Sequence, residues 1–90
     1  MDTIFHVGMD VHLSGIHAVV LAGEQAEPDS EQTLPYDFAK LRKPFARLLA
    51  RGPVAATYEA GCMGFELARF LEDLQVACVV AAPGKLPRKP

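Results

Sequence analysis

The chain has 90 residues, half of them hydrophobic, and a formal net charge of −2. A single small domain follows, one that buries only about 60–65% of its unfolded surface. The hydrophobic content excludes disorder, and the near-neutral charge argues against a nucleic-acid binder that works by itself, because phosphate neutralisation supplies most of such affinity. No apolar run approaches the ~20 residues of a membrane-spanning helix, and the N-terminus lacks a signal peptide's basic flank, so a cytoplasmic protein is expected.

In chain order, His6 to His12 is an apolar strand interrupted by one carboxylate, Asp10. A turn containing Ser14 and Gly15 follows, and Ile16 to Ala22, rich in Val, Ile and Leu, returns as an antiparallel partner. Asp10 has no packing reason to sit in a core strand. Alone, it also fits a turn-capping aspartate that accepts backbone N–H bonds. Glu24 to Ser30 is polar and holds Pro28, which predicts an exposed loop leading to a short edge strand near Glu31 to Leu34.

Between Pro35 and Arg51, Phe38, Leu41, Phe45, Leu48 and Leu49 recur at spacings of three and four. A helix burying one apolar stripe is predicted, with Asp37 as its cap. Pro44 would remove a hydrogen bond and crowd the Lys40 carbonyl, so either the helix kinks there or its regular part begins near Lys43. Charge is uneven here: residues 1 to 39 contain no Lys or Arg, whereas Lys40, Arg42, Lys43, Arg47 and Arg51 share this one segment. The plain reading of that cluster is a helix's solvated face.

Gly52 and Pro53 stop the helix, and Val54 to Glu59 reads as a short strand ending in a second acid. Gly61 and Gly64 frame a turn before a helix from Phe65 to Gln75, with Leu67, Phe70, Leu71 and Leu74 toward the sheet. Val76 to Ala82 is expected to be a buried parallel strand closed by Pro83, and residues 84–90 form a basic tail. Cys62 and Cys78 stand in no metal-ligand spacing and are read as free buried thiols.

The expected fold is α/β: an antiparallel three-strand meander, then α-β-α-β crossovers, giving a mixed five-stranded sheet. If the first strand is central, the fourth can lie beside it and parallel. Asp10 and Glu59 then sit at neighbouring carboxyl ends, where open α/β sheets build their sites, on strands ~4.8 Å apart. Two carboxylates so placed repel, and a hard cation such as Mg²⁺ or Mn²⁺ relieves the repulsion. Glu59 alone also fits an acid favoured at a helix N-terminus.

These residues carry a resemblance. Gly8-Met9-Asp10-Val11, Tyr58-Glu59-Ala60-Gly61 followed by Gly64-Phe65-Glu66-Leu67-Ala68-Arg69, and Val79-Val80-Ala81-Ala82-Pro83 with Leu86-Pro87-Arg88-Lys89-Pro90 resemble the N-terminal part of the DEDD, RuvC-like insertion-sequence transposases. That family is understood as RNA-guided recombinases. The resemblance implies a ribonuclease H-like fold over residues 1–83, with four acids binding catalytic Mg²⁺, and DNA and a guide RNA as partners. Asp10 matches the first acid and Glu59 the second. The family's third and fourth acids, in an Asp-x-x-Asp motif, are absent from these 90 residues, and nothing marks Ser14 or Ser30 as its nucleophilic serine. Half a catalytic centre is expected, inactive by itself.

Right-handed crossovers put both helices on one face and leave the other to a later helix; if Pro90 is the true end that face is uncovered, and a homo-oligomer is expected through it or through an edge strand. His12, near Asp10, and Lys85, Arg88 and Lys89 are candidate nucleic-acid contacts; each also has an ordinary explanation as turn cap or solvated tail. Two other readings stand beside the transposase. Actin and hexokinase-like ATPases begin with a similar hairpin, but usually follow the aspartate with Gly-x-Thr, where this chain has Val11-His12-Leu13. A non-enzymatic remnant serving as an oligomerising module is the second.

Overall fold

Alternation of side chains decides the strands. In β1 (Phe5–His12), Phe5, Val7 and Met9 are buried while His6, Gly8 and Asp10 are exposed, the period of two that one covered sheet face imposes. The same alternation runs through β2 (Gly15–Ala22) and β4 (Val54–Glu59), whereas β3 (Ser30–Leu34) is exposed along most of its length. Helices α1 (Phe38–Arg51) and α2 (Glu66–Asp73) precede β4 and β5 (Ala77–Ala81) respectively. The structure, a computed structural model, describes residues 3–23, 28–59 and 64–81.

The five strands form one mixed sheet in the order β3-β2-β1-β4-β5. β1 and β2 pair antiparallel, as do β2 and β3, while β4 runs parallel to β1 and β5 parallel to β4. Phe5, Val7, Met9, Ile16, Ala18, Val20, Val54, Ala56 and Tyr58 share the covered face and join one core with Leu41 and Phe45 of α1 and Leu67, Phe70 and Leu71 of α2. Both helices therefore lie on the same side. Phe38 stacks on Phe70 with ring centroids 4.7 Å apart, tying one helix to the other.

Helix α1 starts where its cap predicts: Asp37 Oδ1 accepts the Ala39 and Lys40 N–H groups at 3.0 and 3.3 Å. It does not wait for Lys43, because the capped first turn and the buried Leu41 hold the six residues before Pro44 in helical form. Pro44 still denies the Lys40 carbonyl its usual donor, on an exposed turn where water can serve. Gly52 ends the helix, its N–H donating to the Leu48 carbonyl at 3.2 Å. A Cβ there would stand 2.6 Å from the Thr3 carbonyl oxygen, so this glycine is required by close backbone approach.

Two expectations need correction. Helix α2 is shorter than 65–75, because the chain reverses at its end: the Gln75 N–H bonds the Glu72 carbonyl and the Val76 N–H the Leu71 carbonyl, both at 2.9 Å. That pair of bonds is a Schellman closure, with Gln75 in the left-handed region at φ 75°. Strand β5 is parallel but not buried. It has one strand neighbour and no cover on one face, which leaves Val79 64% exposed.

Register makes the second sheet face a grid. One row reads Glu31, Val19, Gly8, Thr57, Val79; the row beyond it, toward the carboxyl ends of β1 and β4, holds Thr33, His17, Asp10, Glu59 and Ala81. The row on the other side holds Leu21, His6, Ala55 and Ala77. Among the described residues nothing covers this face, and a Cβ at Gly8 would meet nothing within 4 Å. No helix among the described residues is long and apolar enough to cross a membrane. Cys78 is a free, half-buried thiol; Cys62, Pro83 and the basic tail lie outside the described residues.

Candidate functional site

The parallel register of β1 and β4 pairs Met9 with Tyr58, and one further step sets Asp10 beside Glu59. Residues opposite one another in paired strands project to the same face, so both carboxylates leave the sheet on its open side, from strands ~4.8 Å apart. Asp10 is exposed and Glu59 half-buried. Between them lies a cleft of about 290 Å³, lined by Gly8, Met9, Asp10, Val11, Thr57, Tyr58 and Glu59. Gly8 contributes open space where any other residue would place a side chain.

The sequence brings these two acids together for local reasons. Asp10 follows three buried anchors in β1, and Glu59 follows Val54, Ala56 and Tyr58 in β4, each acid falling on the parity opposite to the core. A shift of one residue in either strand would drive its acid into the apolar interior.

His12 lies where the sequence puts it, with Nε2 3.0 Å from Asp10 Oδ1. Both side chains are largely exposed, so the pair orients Asp10 more than it stabilises the fold. Sequence reasoning missed His17, which pairs directly with Asp10 across the β1–β2 ladder. Its Nε2 sits 2.7 Å from Glu31 Oε1. The turn contained the signal: two residues, Leu13 and Ser14, between paired His12 and Gly15 fix Asp10 opposite His17.

Tyr58 was also missed as a positioning group. Its ring is buried and its hydroxyl donates to the Gly64 carbonyl at 2.9 Å while accepting the Ala68 N–H at 3.1 Å. Burial raises its pKa, opposed in part by the bond from Ala68, so the hydroxyl keeps its proton and both bonds. Phe65 at the head of α2 has no capping side chain, and Tyr58 supplies that acceptor from the neighbouring strand. The residue before Glu59 is thereby fastened to α2.

Lys85, Arg88 and Lys89 lie outside the described residues. Among the described residues no three His, Cys, Asp or Glu side chains converge as a ready-made metal cage. Two carboxylates on one open cleft fit a different occupant, a hydrated hard cation, since Mg²⁺ keeps several waters and is usually held by one or two carboxylates plus substrate phosphates. Cys78 is no competing nucleophile: burial, with the nearby Glu72, pushes its thiol up to about 11.

No family model matches the chain. The chain is similar to the transposase for insertion sequence element IS1533 of Leptospira borgpetersenii, 36% identical over 85 residues that make up 93% of this chain. It spans 25%, about a quarter, of that relative's length.

Proposed function

We propose that this chain is part of the catalytic domain of an insertion-sequence DNA transposase, of ribonuclease H-like fold and of the DEDD, RuvC-like kind. The adjacency of Asp10 and Glu59 on the open face of parallel neighbouring strands carries this reading. The likeness to the IS1533 transposase over 93% of the chain supports the insertion-sequence transposase part of it. Asp10 and Glu59 would hold Mg²⁺ or Mn²⁺, which when bound supplies a Lewis acid for phosphodiester cleavage.

The chain's own residues have separate tasks. Asp10 and Glu59 provide the oxygen ligands, and His12 holds one Asp10 oxygen in a fixed direction. Tyr58 fixes the carboxyl end of β4 against α2, which limits where Glu59 can move. A two-metal displacement needs more acids than these two, so the 90 residues alone bind one cation weakly and transfer no DNA strand. DNA and a guide RNA are the partners of the complete enzyme under this reading, in the cytoplasm.

Self-association is part of the proposal. The open face carries apolar side chains at two places, exposed Val79 on the edge strand β5 and half-buried Val19 and Leu21 on β2, with β1 and β4 between them. The same observation favours the second reading, an oligomerising module without chemistry. Light scattering over a range of concentrations tests association, and a concentration-independent monomer removes it.

Metal binding separates the two readings. With ~10 mM Mg²⁺ and a dissociation constant of ~1 mM, linkage raises the stability of the chain by roughly 1.4 kcal/mol. Asp10→Asn and Glu59→Gln should each abolish that increment. An increment that survives both substitutions, or none in the unsubstituted chain, sinks the metal-site reading. DNA strand transfer by the 90-residue chain, lost on Asp10→Asn, would show that two acids suffice.

A further inference from the structure

Helix α1 carries five basic residues, Lys40, Arg42, Lys43, Arg47 and Arg51, and no acidic one. At 3.6 residues per turn, Lys40, Lys43, Arg47 and Arg51 fall within roughly a quarter of the helix circumference. Consecutive members stand at i,i+3 and i,i+4 spacing, where like charges face each other and work against the helix. Lys40 also lies in the first turn, where the macrodipole favours acids, and no acid is present there. A helix selected only to cover a sheet would interleave Glu with these cations. Asp37 at the cap and Arg51 in the last turn suit the dipole, but the repulsion among Lys40, Lys43 and Arg47 works against the helix.

Among the described residues, internal partners do not account for the stripe. Arg51 is engaged, with Nη1 3.2 Å from Asp29 Oδ2 and its guanidinium 4.6 Å from the Phe5 ring centre. Arg42, off the stripe, lies over Phe70 at 5.5 Å. Lys40, Lys43 and Arg47 are exposed and belong to none of the ion pairs found among the described residues. These three cations cover roughly 10 Å of helix length, too long for a single phosphate and suited to a polymer.

We infer that the exposed face of α1 binds the phosphodiester backbone of a nucleic acid, as a surface separate from the acidic cleft. The two lie on opposite faces of the sheet, because α1 packs on the buried side through Leu41 and Phe45 while Asp10 and Glu59 project from the open side. A protein partner fits less well. Protein interfaces are rich in aromatic anchors and depleted of Lys, whereas the exposed positions flanking this stripe are Ala39, Ala46 and Ala50. Those short side chains leave the ridge of cations open to a backbone lying alongside. Such contacts position a strand without reading its sequence.

The test is fluorescence anisotropy of the 90-residue chain with labelled single-stranded RNA, single-stranded DNA and duplex DNA, in EDTA, at 50 and 200 mM salt. For single strands, three phosphate contacts steepen the log–log salt dependence by about 2 and weaken binding about 20-fold between those salt levels. Lys40→Gln/Lys43→Gln/Arg47→Gln should lose that part of the slope and bind at least about tenfold more weakly at 50 mM salt. The charge-keeping Lys40→Arg/Lys43→Arg/Arg47→Lys should bind as the unsubstituted chain does. Asp10→Asn/Glu59→Gln should leave this metal-free binding intact, so failure of the acidic site and failure of the α1 surface give different results. Comparison of the three ligands shows which backbone is preferred. Unchanged affinity in the triple Gln variant, no binding by the unsubstituted chain at 50 mM salt, or equal displacement by polyglutamate at matched charge overturns the inference, the last in favour of an acidic protein.

Discussion

The Tyr58 hydroxyl on β4 accepts the Ala68 N–H of α2 at 3.1 Å, standing in for the cap that Phe65 cannot provide. Tyr58→Phe removes the acceptor without changing the ring packing, and leaves a buried helix N–H and the Gly64 carbonyl without this partner. The expected loss is about 1–3 kcal/mol of unfolding free energy, read from urea denaturation. Because Tyr58 precedes Glu59, the same variant should also weaken Mg²⁺-dependent stabilisation. A role confined to folding would leave that increment unchanged.

Two glycines make opposite predictions. Gly52→Ala drives a Cβ to within 2.6 Å of the Thr3 carbonyl and 3.3 Å of the Phe5 ring, so β1 and the end of α1 must separate. A destabilisation of about 1–3 kcal/mol is expected, the range of overpacked sites. Gly8→Ala meets open space and removes a glycine from a strand interior, which should stabilise the monomer by about 0.5–1 kcal/mol. Thermal melts of both variants decide the matter. A destabilised Gly8→Ala at high protein concentration alone would show that another copy approaches the sheet there.

Gln75 holds the left-handed position of the Schellman closure at φ 75°, a conformation that glycine adopts without steric penalty. Gln75→Gly should therefore raise stability by about 1 kcal/mol, the size of the left-handed penalty for a residue with a Cβ. The same denaturation curves measure it. A loss instead of a gain would mean that the Gln75 side chain contributes more than its backbone conformation takes away.

The half-buried Cys78 sets an alkaline limit. Its thiol pKa is raised to about 11 from the ordinary thiol value of 9.0, chiefly by burial. The folded chain thus holds this proton more tightly than the unfolded chain. Below about pH 9 both states carry the proton and the contribution is fully present; it is lost as pH rises from 9 toward 11. Cys78→Ala should flatten the stability profile across that interval, and alkylation of the folded chain should be slow at pH 8.

The sequence was legible wherever one local rule governed. Alternating burial in β1 and β4 and the Asp37 cap were readable because period and capping act within a few residues. Tertiary terms decided what was missed. Pro44 did not delay α1, since its neighbours Leu41 and Phe45 are locked into the core. The apolar composition of β5 suggested burial, but exposure depends on sheet order, and β5 is an edge strand. At the site, the places of Asp10 and Glu59 could be inferred from strand order, whereas the capping role of Tyr58 depended on an acceptor borrowed across ten residues.

The graded open face bears on how the molecule can change. Its acids sit in one row, while the row two steps away is Leu21, His6, Ala55 and Ala77, with Gly8 and Thr57 between. Cover laid over the lower half desolvates neither carboxylate. What rests on Leu21, Ala55 or Ala77 can therefore change while the surroundings of Asp10 and Glu59 stay as they are.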